Sequence, residues 1–352
     1  MRLTPFLRKY DTVVFDMDGV ITSEQNYWNA AALTVYEMLH SKLYFGRETL
    51  HPSQLNTEEI RRHMFCDDEL IRILKRKGVN SNWDLAYVTV CMSLTADTQP
   101  ILSYADKLSD TILEEYANLA LALSQKLHFP IEKCARNGTL WNQIQQTFQE
   151  WFLGDTLFCR QYGYPPKQPG KNGLLYEEKP IIDFENMQTL FRLLHESGKR
   201  VCTGTGRPYA EIAAPLEKWG IRQYIADDGL INYDHVIRAE HALSDNKIAQ
   251  TLTKPHPYLF LRALFGERVD DEKLVLGQYD KAPINALLIV GDAGADLFAA
   301  QAMGADFAAV LTGAEGQTGR AFFEQNHATY ILDSAEMLLE DENNANSSNS
   351  TN

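Results

Sequence analysis

Cysteine is scarce in this sequence, and its spacing is irregular. The five cysteines among 352 residues are an odd number, and no two of them form a CxxC pair. This pattern predicts reduced, mostly buried thiols and argues against a zinc site or a disulfide framework. The cysteines are Cys66, Cys91, Cys134, Cys159 and Cys202.

Long apolar runs are also missing. No stretch approaches the roughly 20 apolar residues that a membrane-spanning helix needs, and the first residues contain no apolar signal core. We therefore expect no membrane association and, by default, a cytoplasmic location.

Basic residues are also few compared with acidic ones. The chain has 33 lysines and arginines against 47 aspartates and glutamates, which gives a net charge of −14. Nucleic acids and anionic membranes need a basic surface, so neither is expected as a partner. An apolar share of 45% is ordinary for a soluble globular protein, and the length suggests two domains.

Two aspartates, Asp16 and Asp18, follow a short apolar run at residues 12–15. The run is β-branched and aromatic, which predicts a buried parallel strand. Ligands bind at the carboxyl ends of such strands in open α/β sheets. Two neighbouring carboxylates are costly unless a cation neutralises them or a reaction uses them. An ordinary polar turn containing Gly19 is the alternative interpretation.

A second strand-like run begins at Arg200 and leads into the sequence TGTGRP at residues 203–208. Pro208 suits the first turn of a helix. Thr205 therefore lies just before a helix N-terminus, where free backbone N–H groups favour a phosphate. A plain helix cap would also explain a threonine here, and Thr203 is the alternative residue. Arg207 is interpreted equally well as a substrate contact or as a surface ion pair.

Lys254 lies in a loop that prolines make rigid. Pro255 and Pro257 follow it, and the residue before a proline avoids helical geometry. A lysine held in this way can act as a point charge on a phosphoryl oxygen. A lone lysine is more often a solvated surface residue.

A third apolar run, residues 286–290, leads into Gly291, Asp292 and, four positions later, Asp296. Asp292 would lie at a strand tip and Asp296 in the first turn of the next helix. Carboxylate oxygens suit Mg²⁺ and do not indicate zinc. Asp296 is either a ligand or a support for one, although a helix N-terminus alone also favours an aspartate.

These segments together resemble the haloacid dehalogenase (HAD) superfamily. The matching patterns are DxDGV from Asp16, TGRP from Thr205, KPxP from Lys254, and GDxxxD ending at Asp296. Within the superfamily, the chain resembles the phosphoglycolate phosphatase and β-phosphoglucomutase-like branch, which has a helical cap. Each motif is weak alone, but the four in order are specific.

The resemblance implies catalytic roles for the matched residues. Asp16 would be the nucleophile that forms an aspartyl-phosphate, and Asp18 would be the general acid and base. Dehalogenases of this superfamily lack the second aspartate, so Asp18 favours phosphate chemistry. The phosphoryl group would be held by Thr205, Gly206 and Lys254.

The resemblance also implies Mg²⁺ as cofactor. Its implied ligands are Asp16, the backbone carbonyl of Asp18, Asp292 and Asp296. The implied function is a Mg²⁺-dependent phosphatase (phosphoric monoester hydrolase) acting on a small phosphorylated metabolite. The alternatives are a sugar phosphomutase or phosphotransferase, and a non-catalytic binding or regulatory protein on the same scaffold. The sequence does not indicate the substrate or the oligomeric state.

Helix and strand patterns alternate after residue 180, which predicts an α/β fold with a Rossmann-like parallel sheet covered on both faces. The predicted catalytic core comprises residues 1–22 and 180–340. A further strand is predicted at residues 223–226.

The stretch 23–179 contains helical patterns and few strand signals, so we predict a helical cap inserted after the first motif. Single helices are predicted over 104–127 and 140–154. Residues 341–352 are rich in Asn and Ser, which predicts a disordered tail.

Overall fold

A computed structural model describes residues 1–79, 81–96, 98–109, 111–245 and 251–341. Apart from Asp341, the predicted disordered tail lies outside the described residues. The chain divides into two compact units. The sheet unit comprises Met1–Glu24 and the chain from Glu178 onward, and the helical unit comprises Gln25–Glu177.

The described strands form a six-stranded parallel sheet and a separate two-stranded antiparallel pair, both in the sheet unit. The strands are β1 (Arg2–Leu3), β2 (Thr12–Phe15), β3 (Arg200–Gly204), β4 (Leu230–Ile231), β5 (Leu287–Gly291), β6 (Asp306–Val310), β7 (Tyr330–Leu332) and β8 (Leu339–Glu340). The large sheet has the order β4-β3-β2-β5-β6-β7, and β1 pairs with β8. The predicted α/β fold with a parallel sheet is confirmed.

The central position of β2 determines where the site lies. All four residues of β2 are buried. Val13 and Phe15 pack into one hydrophobic core and Val14 into a second one, as expected for a central parallel strand. In the parallel register, Phe15 is opposite Thr203 on one side and Val290 on the other. The residues that follow these strands, including Asp16 and Asp292, therefore emerge at one edge of the sheet.

The helical unit consists of helices and connecting loops. Its helices are α1 (Gln25–His40), α2 (Thr57–Met64), α3 (Glu69–Arg76), α4 (Asn82–Thr95), α5 (Ile101–Lys107), α6 (Ile112–Leu127), α7 (Ile131–Cys134) and α8 (Thr139–Tyr162). None of the helices in the described part of the chain is both long enough and apolar enough to cross a bilayer.

Two helix predictions in this unit had wrong limits. The helix predicted over 104–127 is two helices, because the backbone turns to an extended conformation at Leu108. The backbone N–H of Ser109 then donates to the carboxylate of Glu115 at 2.9 Å, which connects this segment to the first turn of the second helix. The helix predicted to end at Gly154 continues as α8, with a non-helical break at that glycine.

The remaining helices belong to the sheet unit. They are α9 (Phe184–Glu196), α10 (Tyr209–Lys218), α11 (Tyr233–Asp245), α12 (Tyr258–Phe265), α13 (Asp271–Val275), α14 (Gly294–Met303) and α15 (Arg320–Gln325). The strand predicted at 223–226 is wrong: Arg222–Tyr224 form a 3-10 turn, and the strand follows at β4. Ile225 is buried in the core next to the turn. In the sequence, this apolar residue gave the same signal as a buried residue of a strand.

All five cysteines are free thiols, and Cys91, Cys134 and Cys202 are buried. Burial raises the pKa of the Cys202 thiol to about 12, so this residue behaves as a small apolar side chain in β3. The prediction that the cysteines are reduced agrees with these free thiols.

A buried ammonium group lies between two carboxylates in the helical unit. The Nζ of Lys171 is 2.8 Å from Oε2 of Glu37 and 2.7 Å from Oε2 of Glu150, and all three side chains are fully buried. Burial raises the pKa of Glu37, and the attraction of Lys171 opposes this rise. The cluster joins α1 and α8 to the loop that follows α8, and removal of its one cation would leave two negative charges in the interior.

Replacing Lys171 with methionine should lower the free energy of unfolding by about 3–5 kcal/mol, because two buried carboxylates lose their counter-charge. A carboxyl group with a raised folded-state pKa stabilises the fold at low pH, and this contribution is lost as the pH rises through the folded pKa. The penalty should therefore be larger at pH 8 than at pH 5. Urea unfolding at both pH values measures it.

The matched control is Arg72→Met, which removes an exposed ion pair with Glu69 in the same unit. This change should cost less than about 1 kcal/mol at either pH. Equal losses from the two variants, or a Lys171→Met penalty that is the same at both pH values, would show that the buried cluster does not stabilise the fold electrostatically.

Candidate active site

Three carboxylates converge at the edge of the sheet where β2 and β5 end. Asp16 follows β2, Asp292 follows β5, and Asp296 lies in the first turn of α14. Each offers a carboxylate oxygen, and these oxygens all lie within 4.8 Å of one another. The structure therefore brings together three of the residues that the sequence analysis assigned to one cation.

Lys254 completes this cluster from the loop before α12. Its Nζ lies 2.9 Å from Oδ1 of Asp16 and 2.6 Å from Oδ1 of Asp296. The Lys254 side chain is 12% exposed, and its ammonium lies 5.1 Å from the ring centre of Phe260. Burial lowers the pKa of Lys254, but the two carboxylates raise it further, so the net shift is upward and the ammonium stays charged.

The carboxylates of the cluster carry more negative charge than Lys254 can balance. Burial raises the pKa of Asp16 to about 7; Lys254 opposes the rise, while Asp296 and Asp18 add to it. Burial and the charges of Asp16 and Asp296 raise the pKa of Asp292 well above its usual range. With all three carboxylates ionised, the single ammonium would leave an excess of two negative charges, which a divalent cation would balance.

Close backbone approach fixes the position of the Asp292 carboxylate. Gly19 has a φ of +70°, and a Cβ atom there would lie 2.2 Å from Oδ2 of Asp292. A Cβ atom at Gly313 would lie 1.8 Å from the same oxygen. The hydroxyl of Thr312 donates to the backbone carbonyl of Gly19 and joins these two segments. The rigid set of carboxylate oxygens fits a hard divalent cation such as Mg²⁺.

The side chain of Asp18 has a different environment from that of Asp16. Its carboxylate accepts hydrogen bonds from Arg207, the shortest at 2.5 Å from Nη2 to Oδ1. It is not part of the three-carboxylate cluster found among the described residues. The interpretation of Arg207 as a surface ion pair is wrong, because the Arg207 side chain is only 2% exposed.

The structure distinguishes the two candidate threonines by position. Thr203 lies inside β3, and its hydroxyl donates to the backbone carbonyl of Ile231 at 3.3 Å. Thr205 lies just beyond the end of β3, where its hydroxyl accepts from the backbone N–H of Arg207 at 3.2 Å. Gly206 is exposed beside it. Both Thr205 and Gly206 therefore lie at the site edge of the sheet, and their role in holding a phosphate stays a prediction.

Three residues of the site escaped the sequence analysis. Thr312 and Gly313 follow β6, so the rule that ligand sites form at the carboxyl ends of strands would have indicated them. Glu178 gives no such signal, because it lies in an irregular segment far from the motifs in sequence. Its carboxylate lies 3.0 Å from Nη1 of Arg207 and is buried.

The comparisons with known proteins agree with this geometry. Residues 251–338 match the family model of HAD-hydrolase-like proteins, a segment that contains Lys254, Asp292 and Asp296. The resemblance to the HAD superfamily, and with it the prediction of a HAD-like hydrolase, is confirmed. No curated protein matches the chain.

One solved structure extends the likeness to most of the chain. A crystal structure of target ZR25 of the Northeast Structural Genomics Consortium is 27% identical, with a TM-score of 0.76 over 93% of this chain and 97% of the other. Phosphatase Tt82 from Thermococcus thioreducens is 17% identical, with a TM-score of 0.47 over 84% and 90%. A hydrolase from Pseudomonas syringae is 16% identical, with a TM-score of 0.41 over 97% and 99%. The last two likenesses are too distant to bear on function.

Replacing Gly19 with alanine should weaken divalent cation binding, because the new methyl group would occupy the place of the Asp292 carboxylate. The matched control is Gly304→Ala, since Gly304 also has a positive φ, of +85°, but open space around it. Both variants should lose about 1–2 kcal/mol of stability from the strained φ. Calorimetric titration with Mg²⁺ should show a loss of affinity of at least about 10-fold for Gly19→Ala alone. Equal Mg²⁺ affinity in the two variants would contradict this account of the site.

Proposed function

We propose that the protein is a Mg²⁺-dependent phosphatase that hydrolyses a small phosphate monoester through a phosphorylated aspartate. The observation that supports this most strongly is the contact of Lys254 with Asp16, inside a cluster that also contains Asp292 and Asp296. A phosphoryl transfer site needs an oxygen nucleophile, positive charge for the phosphoryl oxygens, and ligands for a divalent cation. This cluster supplies all three at the end of one sheet.

The carboxylates of Asp16, Asp292 and Asp296, with the backbone carbonyl of Asp18, are the proposed Mg²⁺ ligands. When bound there, Mg²⁺ would neutralise the charge that develops on the phosphoryl oxygens. Lys254 adds a fixed positive charge next to Asp16, so an anionic substrate can approach although the protein as a whole is strongly acidic.

The chemical steps follow from the positions of the two aspartates after β2. In the first step an oxygen of Asp16 forms a bond to phosphorus, the bond to the leaving oxygen breaks, and Asp18 gives that oxygen a proton. In the second step Asp18 takes a proton from water, whose oxygen bonds to phosphorus and displaces Asp16. Lys254 and Thr205 hold the phosphoryl group through both steps.

The test is a screen for phosphate release from sugar phosphates, nucleotides and phosphoglycolate in the presence of Mg²⁺. Release of inorganic phosphate from any of them supports the proposal. Conversion of a sugar phosphate into its isomer would indicate a phosphomutase instead. Mg²⁺ binding with no turnover of any ester would indicate a binding or regulatory protein. The assignment of the helical unit as a cap that selects the substrate stays a prediction.

Replacing Asp16 with asparagine should lower kcat by at least about 1,000-fold, because it removes the nucleophile and keeps the shape of the side chain. Asp333→Asn is the control: Asp333 is an exposed partner of Arg320 in the same unit, and its replacement should leave kcat unchanged. Phosphate release measures the rate, and acid-quenched protein should carry radioactive phosphate at residue 16 only in the wild type. Retention of most activity by Asp16→Asn would exclude the covalent route.

Replacing Asp292 with alanine should raise the Mg²⁺ concentration needed for half-maximal activity by about 10-fold or more, because one carboxylate ligand is lost. Metal titrations of the phosphatase rate measure this. An unchanged titration curve would remove Asp292 from the ligand set.

A further inference from the structure

Two nitrogen atoms of the Arg207 guanidinium donate hydrogen bonds to the carboxylate of Asp18. Its Nη2 lies 2.5 Å from Oδ1 of Asp18, and its Nε lies 3.1 Å from both Oδ1 and Oδ2. A planar guanidinium that meets a carboxylate in this way fixes the direction of the carboxylate as well as its position. The side chain of Asp18 therefore has a defined orientation even though it is 28% exposed.

The guanidinium is itself held from its other side. Its Nη1 lies 3.0 Å from the carboxylate oxygens of Glu178, and its Nη2 donates to the hydroxyl of Thr22 at 2.8 Å. A weaker contact of 3.4 Å reaches the backbone carbonyl of Glu211. Arginine presents its five N–H donors in a fixed plane, so rotation of the Arg207 side chain would break several of these hydrogen bonds at once.

The exposed fractions of the three side chains show which residues hold which. Arg207 and Glu178 are each about 2% exposed, whereas the carboxylate of Asp18 is partly open to solvent. A buried ion pair persists only if its geometry satisfies both partners. Glu178 and Arg207 thus form a buried, immobile ion pair. Asp18 is the one member of the three that substrate and water can reach.

We propose that Arg207 is a positioning residue that aims the Asp18 carboxylate at the leaving oxygen and at the attacking water, and that Glu178 positions Arg207. This inference rests on the proposed phosphatase function. A displacement of a catalytic group by about 1 Å can cost about 100-fold in rate, so the loss of this support should act through the proton transfers of Asp18.

The leaving group of the substrate separates this role from a purely structural one. An alkyl phosphate has a strongly basic leaving oxygen, which needs a proton as the bond to phosphorus breaks. The leaving oxygen of p-nitrophenyl phosphate is weakly basic and needs little protonation. For both substrates kcat/KM covers the steps up to formation of the phosphorylated Asp16, so misplacement of Asp18 should affect the alkyl substrate more.

The experiment measures kcat/KM for p-nitrophenyl phosphate and for the best alkyl phosphate of the screen. Arg207→Gln should lower kcat/KM by about 100-fold for the alkyl substrate and by less than about 10-fold for the aryl substrate. Glu178→Gln, which keeps a hydrogen-bond acceptor, should show a smaller loss with the same preference. The control Arg320→Gln removes the exposed pair with Asp333 and should change neither value.

A double-mutant cycle with Asp18→Asn gives a second readout. If Arg207 acts through Asp18, the change Arg207→Gln should cost little once Asp18 is already replaced. Thermal unfolding of every variant checks that it is folded. If Arg207→Gln does not fold, Arg207→Lys, which keeps the charge but not the planar fork, and Glu178→Gln decide the question on the same two substrates.

Equal losses for the two substrates, or full additivity with Asp18→Asn, would overturn the positioning role while the phosphatase activity of the wild type still stands. The absence of phosphate release from any ester by the wild type is a separate result. It would overturn the proposed function and, with it, this inference.

Discussion

The site depends on the ammonium of Lys254 lying between Asp16 and Asp296. Three carboxylates with oxygens within 4.8 Å of one another repel strongly at the end of a buried strand. One lysine at 2.9 Å and 2.6 Å from two of them reduces this repulsion but does not remove it. The remaining negative charge is what the proposed divalent cation would balance.

The carboxylate cluster also requires close packing of the backbone segments around it. The turn after β2 must bring Gly19 close to the Asp292 carboxylate, and the segment after β6 must bring Gly313 there as well. A side chain at either position would collide with the Asp292 carboxylate. The parallel order β2-β5-β6 makes the approach possible, because adjacent parallel strands present their carboxyl ends side by side.

Local pattern was sufficient for the residues that follow strands. Asp16 and Asp292 were predicted in this way from short apolar runs and glycines. Lys254, which precedes α12, was predicted from the prolines beside it. The structure brings the three residues together in one cluster. The pattern could not show the burial of Arg207, because its partners Asp18 and Glu178 lie 189 and 29 residues away in sequence. It also misplaced the strand at 223–226, since a buried isoleucine gives the same signal in a turn as in a strand.

The two aspartates after β2 meet different cations, and the difference has a physical reason. Lys254, beside Asp16, is a compact charge with three rotatable donors, so it can keep contact with a phosphoryl group whose geometry changes during transfer. Arg207, beside Asp18, is a rigid planar fork that favours one direction of approach. In the proposed mechanism, the nucleophile Asp16, which must move toward phosphorus, is therefore paired with an adaptable cation. The proton donor Asp18, which must point at one oxygen, is paired with a directional one. Exchange of the two cations would keep the net charge of the site and lose this division of roles.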